Sequence, residues 1–468
     1  MVLYIIGFIV VFLLVLASGL PVGFGLGFLA LALLTLYADF EMAMGMGIEK
    51  AYGALDSSVL VAIPLFILAA QLISATGMGK RLFDAARVFF GRLKSGLGIA
   101  TIASSGVFSA MTGSSFVSAS TMGLIAIPEL RRAKYSDTII SSAITAGGSL
   151  GSVIPPSIVM IVYGYLTDES IARLFMAGMI PGLLLIVLYS VALAALAPWS
   201  IEKDKPVSVP EARSPDGEAG NPSAAMNAQS SALTGVSSDD PAETENTPFT
   251  MTHLEAIKQA FWGLMAPVII LGGIYLGIFT ASEAAAIAAV YCAVIGFLIY
   301  RTLTLKKMGD ILLSAANLSA MVAIIVVGGA MLGHVVVFGR IPQEILAFII
   351  EQDYSPLFLL LLINIILFLM GMFMEVLALM YLAIPLLFPV VMYMGWDNIW
   401  FAVILMINVN LALITPPMGG VLYVVSQIGG IPINTVLKGA LLPVVVLIIV
   451  LLLVIFFPPI ATWLPGMI

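Results

Sequence analysis

The stretch SGLGIATIASSGVFSAMTGSSFVSASTMGLIAI, residues 95–127, is apolar, rich in Gly and Ser, and flanked on both sides by positive charge. Lys80, Arg81, Arg87, Arg92 and Lys94 precede it; Arg131, Arg132 and Lys134 follow. Lys and Arg mark the cytoplasmic side of a membrane segment, and a helix needs about 20 apolar residues to cross. One crossing would put one basic flank on the wrong side, and two crossings would each be too short. A re-entrant hairpin satisfies both flanks. Its tip falls at Gly113-Ser114-Ser115, where irregular backbone is tolerated at membrane depth only against protein or a water-filled site. That arrangement points to movement of something across a membrane.

Working outward, the 468 residues are 61% hydrophobic and 10% charged, a composition far from that of a soluble domain. The expected class is an all-α polytopic membrane protein embedded in the lipid bilayer. The start, MVLYIIGFIVVFLLVLASG, lacks the basic n-region of a signal peptide and reads as a retained first helix. A lone Cys292 excludes a disulfide framework and a thiolate metal cluster. Ten of the 26 acids lie in residues 199–257, leaving the rest balanced at 16 acids against 16 Lys and Arg. The net charge of -7 therefore belongs to a Pro-, Ser- and Ala-rich linker, expected to be a disordered cytoplasmic spacer. No basic stripe for nucleic acid exists.

The apolar pattern divides into spans 2–18, 20–37, 57–76, a hairpin 95–127, a broken helix 137–165 and a span 170–198. After the linker come 258–279, 281–300, 311–338, a hairpin 355–394, a broken helix 398–428 and 437–458. This makes ten crossings and two hairpins, with mixed-polarity segments 78–94 and 341–352 as interfacial helices. With the N-terminus outside, external segments hold only Lys50, Arg173 and Arg340 of the 19 Lys and Arg, so both termini are expected to be periplasmic in a bacterial inner membrane.

IPPSIVMIVYG at 154–164 answers TPPMGGVLYVV at 415–425, and the same offset of 261 places Gly178 on Gly439. AIP at 126–128 answers AIP at 383–385 after a four-residue shift, and GSSFVSAS at 113–120 faces GMFMEVLA at 371–378. The first half begins outside and the second inside, so an inverted repeat is expected, the arrangement that supports alternating access.

In such repeats, ions and substrate bind where helices break, because unwinding frees carbonyls for cations and exposes helix N-termini to anions. The first pair of breaks is Gly113-Ser114-Ser115 with GGSLGSVIPP at 147–156; the second is GMFME at 371–375 with ITPPMGG at 414–420. Their carbonyls and hydroxyls suit a hard cation. Glu375 is an ionisable group in an apolar hairpin, a functional candidate unless it only pairs with a nearby donor. Asn408 and Asn410, one turn before the second break, either bind substrate or hydrogen-bond across helices. His334 reads as a packed residue rather than a proton relay, and GFGLG at 23–27 as helix packing, since no strand precedes it. No hydrolase, Walker or zinc motif is present, so the chain is not expected to be an enzyme, and gradients are left as the energy source.

GSSFVSASTMG, GGSLGSVIPPSIVMIVYG, GIFTASEAAAIAAVY, GMFMEVLALMYLAIPLLFP and NLALITPPMGGVLYVVS occur in this order. Together they resemble the large membrane (M, DctM-like) subunit of TRAP transporters, over nearly the whole chain outside the linker. The resemblance implies a sodium-coupled elevator-type transporter with two or more Na+ sites. It implies a small four-helix membrane subunit, here a separate chain, and a periplasmic substrate-binding protein that delivers an anionic organic acid, a C4-dicarboxylate or related acid being favoured. One sodium site would use Ser114, Ser115, Gly148, Gly151, Val153 and Pro155; the other would use Gly371, Met374, Thr415, Pro416 and Met418. Ser114, Glu375, Asn408 and Asn410 would meet substrate, with Glu375 standing where the family leads one to expect Asp. The alternative is a self-sufficient sodium-coupled carboxylate carrier or ion antiporter without a binding protein. The expected domains are 1–94 (scaffold helices and an interfacial helix), 95–198 (first transport half), 199–257 (linker), 258–354 (second scaffold) and 355–468 (second transport half).

Overall fold

A computed structural model describes residues 19–93, 95–196, 251–417 and 419–467; the expected first helix 2–18, Met418 and linker residues 199–250 lie outside the described residues. The described secondary structure is helical throughout. In chain order it comprises α1 (Val22–Tyr37), α2 (Phe40–Leu55), α3 (Ala62–Ala75), α4 (Met78–Phe90), α5 (Gly96–Thr112), α6 (Ser115–Arg132), α7 (Asp137–Ser149), α8 (Ile158–Thr167) and α9 (Ile171–Leu196). After residue 250 follow α10 (His253–Tyr275), α11 (Ala281–Val294), α12 (Leu305–Phe338), α13 (Ile341–Gln352), α14 (Pro356–Gly371), α15 (Val376–Tyr393), α16 (Asn398–Leu413), α17 (Gly420–Gly429), α18 (Ile433–Phe456) and the short α19 (Pro459–Thr462).

Six of these are long and apolar enough to cross a membrane: α9, α10, α11 with its π-helical extension to Ile299, α12, α15 and α18. The bent pair α3–α4 would make a seventh, bent by 62° at the junction. The bend is set by Gly77 at φ +73°, and α4 buries Met78, Leu82 and Phe83 on one face while carrying Lys80, Arg81 and Asp84. That two-faced composition suits a helix lying along a boundary.

Three features depart from the pattern of apolar runs. Residues 40–55 form α2, which the sequence pattern left unassigned because its apolar positions are diluted by Glu41, Glu49, Lys50 and six glycines and alanines. The first hairpin does not end at residue 127; α6 continues to Arg132. There Glu129 accepts from Arg87 at 2.7 Å and from Arg132 at 2.8 Å, so the charged end is stabilised as helix surface. The expected linker also ends early. Thr252 and Glu255 form a reciprocal capping box that starts α10 at His253, five residues before the expected span.

Small residues let the outer helices approach. A Cβ on Gly23 of α1 would lie 2.6 Å from the Ile324 carbonyl carbon of α12, and one on Gly328 would strike the Gly23 carbonyl oxygen. Without a strong hydrophobic drive between helices in lipid, this backbone-to-backbone fit supplies the packing. α12 in turn packs on α15, where Gly329 faces Tyr381. α11 covers α3, α10 covers α4, and α12 packs on α1, α2 and α3.

Candidate functional site

The two hairpin tips differ in backbone but share a device. In the first, Gly113 ends α5 at φ +62°, a left-handed conformation that favours glycine, and its position lies against the Pro156 carbonyl oxygen. Ser114 then caps α6, accepting from the Val117 amide at 3.5 Å. In the second, Gly371 ends α14 with its Cα against Ala412, and Glu375 caps α15, one carboxylate oxygen accepting from the Leu377 amide at 2.8 Å and the Ala378 amide at 3.2 Å. The local donor foreseen for Glu375 is therefore its own helix N-terminus, which also favours negative charge.

These caps correct the repeat register. Ser114 and Glu375 are 261 residues apart, as are the starts and ends of α6 and α15, the starts of α7 and α16, and the cis pairs Pro155-Pro156 and Pro416-Pro417. The AIP match with its shift of four is thus a coincidence of composition: Pro128 of α6 corresponds to Pro389 of α15, not Pro385. The tip of the second hairpin carries two more residues between its helices than the first, four against two.

Each tip rests on a helix break. Between α7 and α8, a 3-10 turn at Leu150–Ser152 leads into Val153–Ser157, all buried. A Cβ on Gly151 would lie 2.5 Å from the Ser114 carbonyl carbon and 2.6 Å from the Ser115 nitrogen, so only glycine lets this turn press on the first tip. Gly148 meets Ala119 in the same way. Ser115 donates to the Ser152 hydroxyl at 3.1 Å, and Ser157 donates to the Ser152 carbonyl at 2.7 Å. Behind the tip, Ser118 accepts from Ser109 at 3.0 Å and lies 3.1 Å from Thr112. The Val153 carbonyl oxygen lies against Gly178 of α9.

The second break is more open. Thr415 donates its hydroxyl to the Leu411 carbonyl at 2.6 Å, and its carbonyl accepts from the Gly419 amide at 3.1 Å. Pro416 and Pro417 are exposed, whereas Pro155 and Pro156 are buried. Met374 is buried at the tip beside an exposed Phe373. Carbonyl and hydroxyl oxygens therefore line both breaks, and only the second adds a carboxylate.

Both asparagines hydrogen-bond across helices. Asn408 donates to Asn364 of α14 at 2.5 Å and to the Ile404 carbonyl at 3.0 Å, tying hairpin to broken helix. Asn410 donates to the Ser149 carbonyl at 2.5 Å, across 261 residues, so each broken helix touches the other at matching positions. Its Oδ1 is buried without a partner. Ser149 also meets the Tyr189 hydroxyl at 3.0 Å. Sequence inspection missed Ser152, Ser157 and Asn364; the serines bracketing the prolines were the available signal, whereas Asn364 gave none.

The packing between the halves is reciprocal. The second arm of the first hairpin, α6, packs on α17 of the second broken helix, and α15 of the second hairpin packs on α8 of the first. Phe116 at the first tip lies against Gly420, and Arg131 donates to the Gly429 carbonyl at 2.7 Å.

Residues 9–460 match the family described as the tripartite ATP-independent periplasmic transporter, DctM component. A sialic acid TRAP transporter large permease protein of Vibrio cholerae is 34% identical over 424 residues, covering 91% of this chain and 90% of that protein. A C4-dicarboxylate TRAP transporter large permease protein of Pseudomonas aeruginosa is 34% identical over 397 residues, covering 84% and 82%. An ectoine/5-hydroxyectoine TRAP transporter large permease protein of Ruegeria pomeroyi is 30% identical over 406 residues, covering 87% and 85%. These relatives are permease proteins, not enzymes.

Proposed function

The chain belongs to the DctM component family of tripartite ATP-independent periplasmic transporters, and from that premise we propose that it is the sodium-coupled large membrane subunit importing an anionic organic acid. It is a multi-pass membrane permease. The observation that carries the proposal is the pair of helix breaks 261 residues apart, each beside a hairpin tip and carrying carbonyl and hydroxyl oxygens. Hard cations take such ligands. One Na+ would lie among Ser114, Ser115, Gly148, Gly151, Val153 and Pro155, and a second among Gly371, Met374, Thr415, Pro416 and Met418, with substrate contacts at Ser114 and Glu375.

An inverted repeat supports alternating access in this proposal, and the Asn410–Ser149 contact favours it: a residue that touches its own counterpart lies near a two-fold axis. Re-entrant hairpins and broken helices, residues 95–198 and 355–468, would move as one body past a scaffold drawn from residues 1–94 and 258–354. Both termini would be periplasmic, where a substrate-binding protein hands over its cargo, and a small membrane subunit would complete the complex. The relatives' names span sialic acid, C4-dicarboxylate and ectoine; a C4-dicarboxylate or related acid is the cargo proposed here.

The test is uptake of labelled succinate into proteoliposomes holding this chain and its small subunit, with and without binding protein and an inward sodium gradient. Uptake that needs both supports the proposal. Uptake with sodium alone makes the chain a self-sufficient carrier, and uptake indifferent to sodium removes the cation sites. Ser115→Ala and Thr415→Ala should each raise the sodium concentration for half-maximal uptake several-fold, consistent with about 1 kcal/mol per lost ligand contact. Cys292→Ser, buried in α11, should leave it unchanged; equal loss in all three would indicate instability instead.

A further inference from the structure

A cavity of about 390 Å³ lies between α7, α9 and α18, away from both helix breaks. Its wall is hydrocarbon, with Ile139 from α7, Leu196 from α9, and Leu442, Val445 and Ile449 from α18. One end carries Lys438, exposed and with no salt-bridge partner among the described residues. Ser142 also lines the cavity, and its hydroxyl is buried without a hydrogen-bond partner. Gly439 explains the closeness of the floor: a Cβ there would lie 2.5 Å from the Thr138 carbonyl oxygen and 2.8 Å from Ser141 Cβ.

We infer that this groove binds one acyl chain of an anionic phospholipid, with the lipid phosphate on Lys438. The dimensions decide it. From Lys438 to Ile449, α18 rises about 16 Å at about 1.5 Å per residue. Half of a hydrocarbon core about 30 Å thick is about 15 Å. Lys438 therefore stands at headgroup depth when Ile449 reaches the bilayer centre, and its alkyl stem can lie along the groove while the ammonium stays at the interface. An empty apolar groove facing lipid would forfeit dispersion contacts along its length, so a chain fills it. Asp137, at the start of α7 next to the groove residue Thr138, is held by Arg131 through two bonds at 3.2 Å to Oδ1, which leaves the Lys438 charge available for an anion. The groove joins α7 and α9 of the first half to α18 of the second, so the lipid is part of the contact between halves. This inference does not depend on the cargo or the coupling ion.

The full chain, purified in detergent and stripped of lipid, is offered dioleoylphosphatidylglycerol or dioleoylphosphatidylcholine, and retained lipid is measured by native mass spectrometry. The wild type should retain the anionic lipid about fivefold over the zwitterionic one, the factor expected of one interfacial lysine. Lys438→Gln should bring the two to parity, Lys438→Arg should keep the preference, and Val445→Trp, which fills the groove, should remove the preferentially held lipid. Melting of each variant in phosphatidylcholine checks that it is folded; if Lys438→Gln is not, the arginine and tryptophan variants carry the comparison. Equal retention of both lipids by the wild type overturns the inference, as does an unchanged preference in a folded Lys438→Gln or Val445→Trp variant.

Discussion

Gly151 and Glu375 show how little freedom single positions have at the breaks. Gly151→Ala would drive a methyl into the Ser114 and Ser115 backbone at 2.5–2.6 Å, where no side chain can rotate away. Overpacking of this kind costs about 1–3 kcal/mol, and the melting temperature in detergent should fall accordingly. Gly272→Ala in α10, whose added Cβ would have open space around it, is the control and should be neutral or slightly stabilising. Glu375→Ala removes a cap that accepts two amides and should cost about 1 kcal/mol, whereas Glu375→Gln keeps an accepting oxygen and should melt near wild type. A sodium dependence that changes in the glutamine variant while melting does not would separate the carboxylate's charge from its capping role. At this scale the sequence was partly legible. Gly, Pro and Ser at the breaks announce themselves, since each does something to backbone that other residues cannot. Asn408 and Asn410 did not, because an amide reveals its partner only when the facing helix is in place.

Among elements, the informative join is between α14 and α16, where the Asn364–Asn408 bond lies inside an apolar interface. Double-mutant analysis with leucine at each position should give a coupling of about 1 kcal/mol in thermal or denaturant melts, the scale measured for hydrogen bonds between membrane helices. A coupling near zero would mean the two amides find other partners when separated. Helix existence followed from apolar run length except at α2, and the four half-helices followed from paired prolines. Boundaries followed less well, for identifiable reasons. α6 outlasts its apolar run because Glu129, Arg87 and Arg132 pair along it. α10 begins early because Thr252 and Glu255 cap it, a signal present in the sequence but outweighed by the polar composition around it. The hairpin register was misjudged because AIP recurs four positions out of step with the caps, and only the N-terminal residues of α6 and α15 reveal the constant spacing.

Over the whole molecule, the two halves meet through the breaks and through exchanged hairpin contacts. Residues 1–198 and 251–468, expressed together as two polypeptides, should therefore assemble and copurify, and either alone should be degraded or aggregate. Recovery of one stable fragment by itself would contradict the packing described above. The exchange has a consequence for ancestry. Since α6 packs on α17 as well as on α7, and α15 on α8 as well as on α12, a polypeptide with one half alone would leave one face of its hairpin arm uncovered, whichever half it was. Such an ancestor could complete itself only by trading arms with a second copy, an obligate pair from its first appearance. Fusing two genes would then have changed how the copies are inherited while leaving their mutual dependence intact.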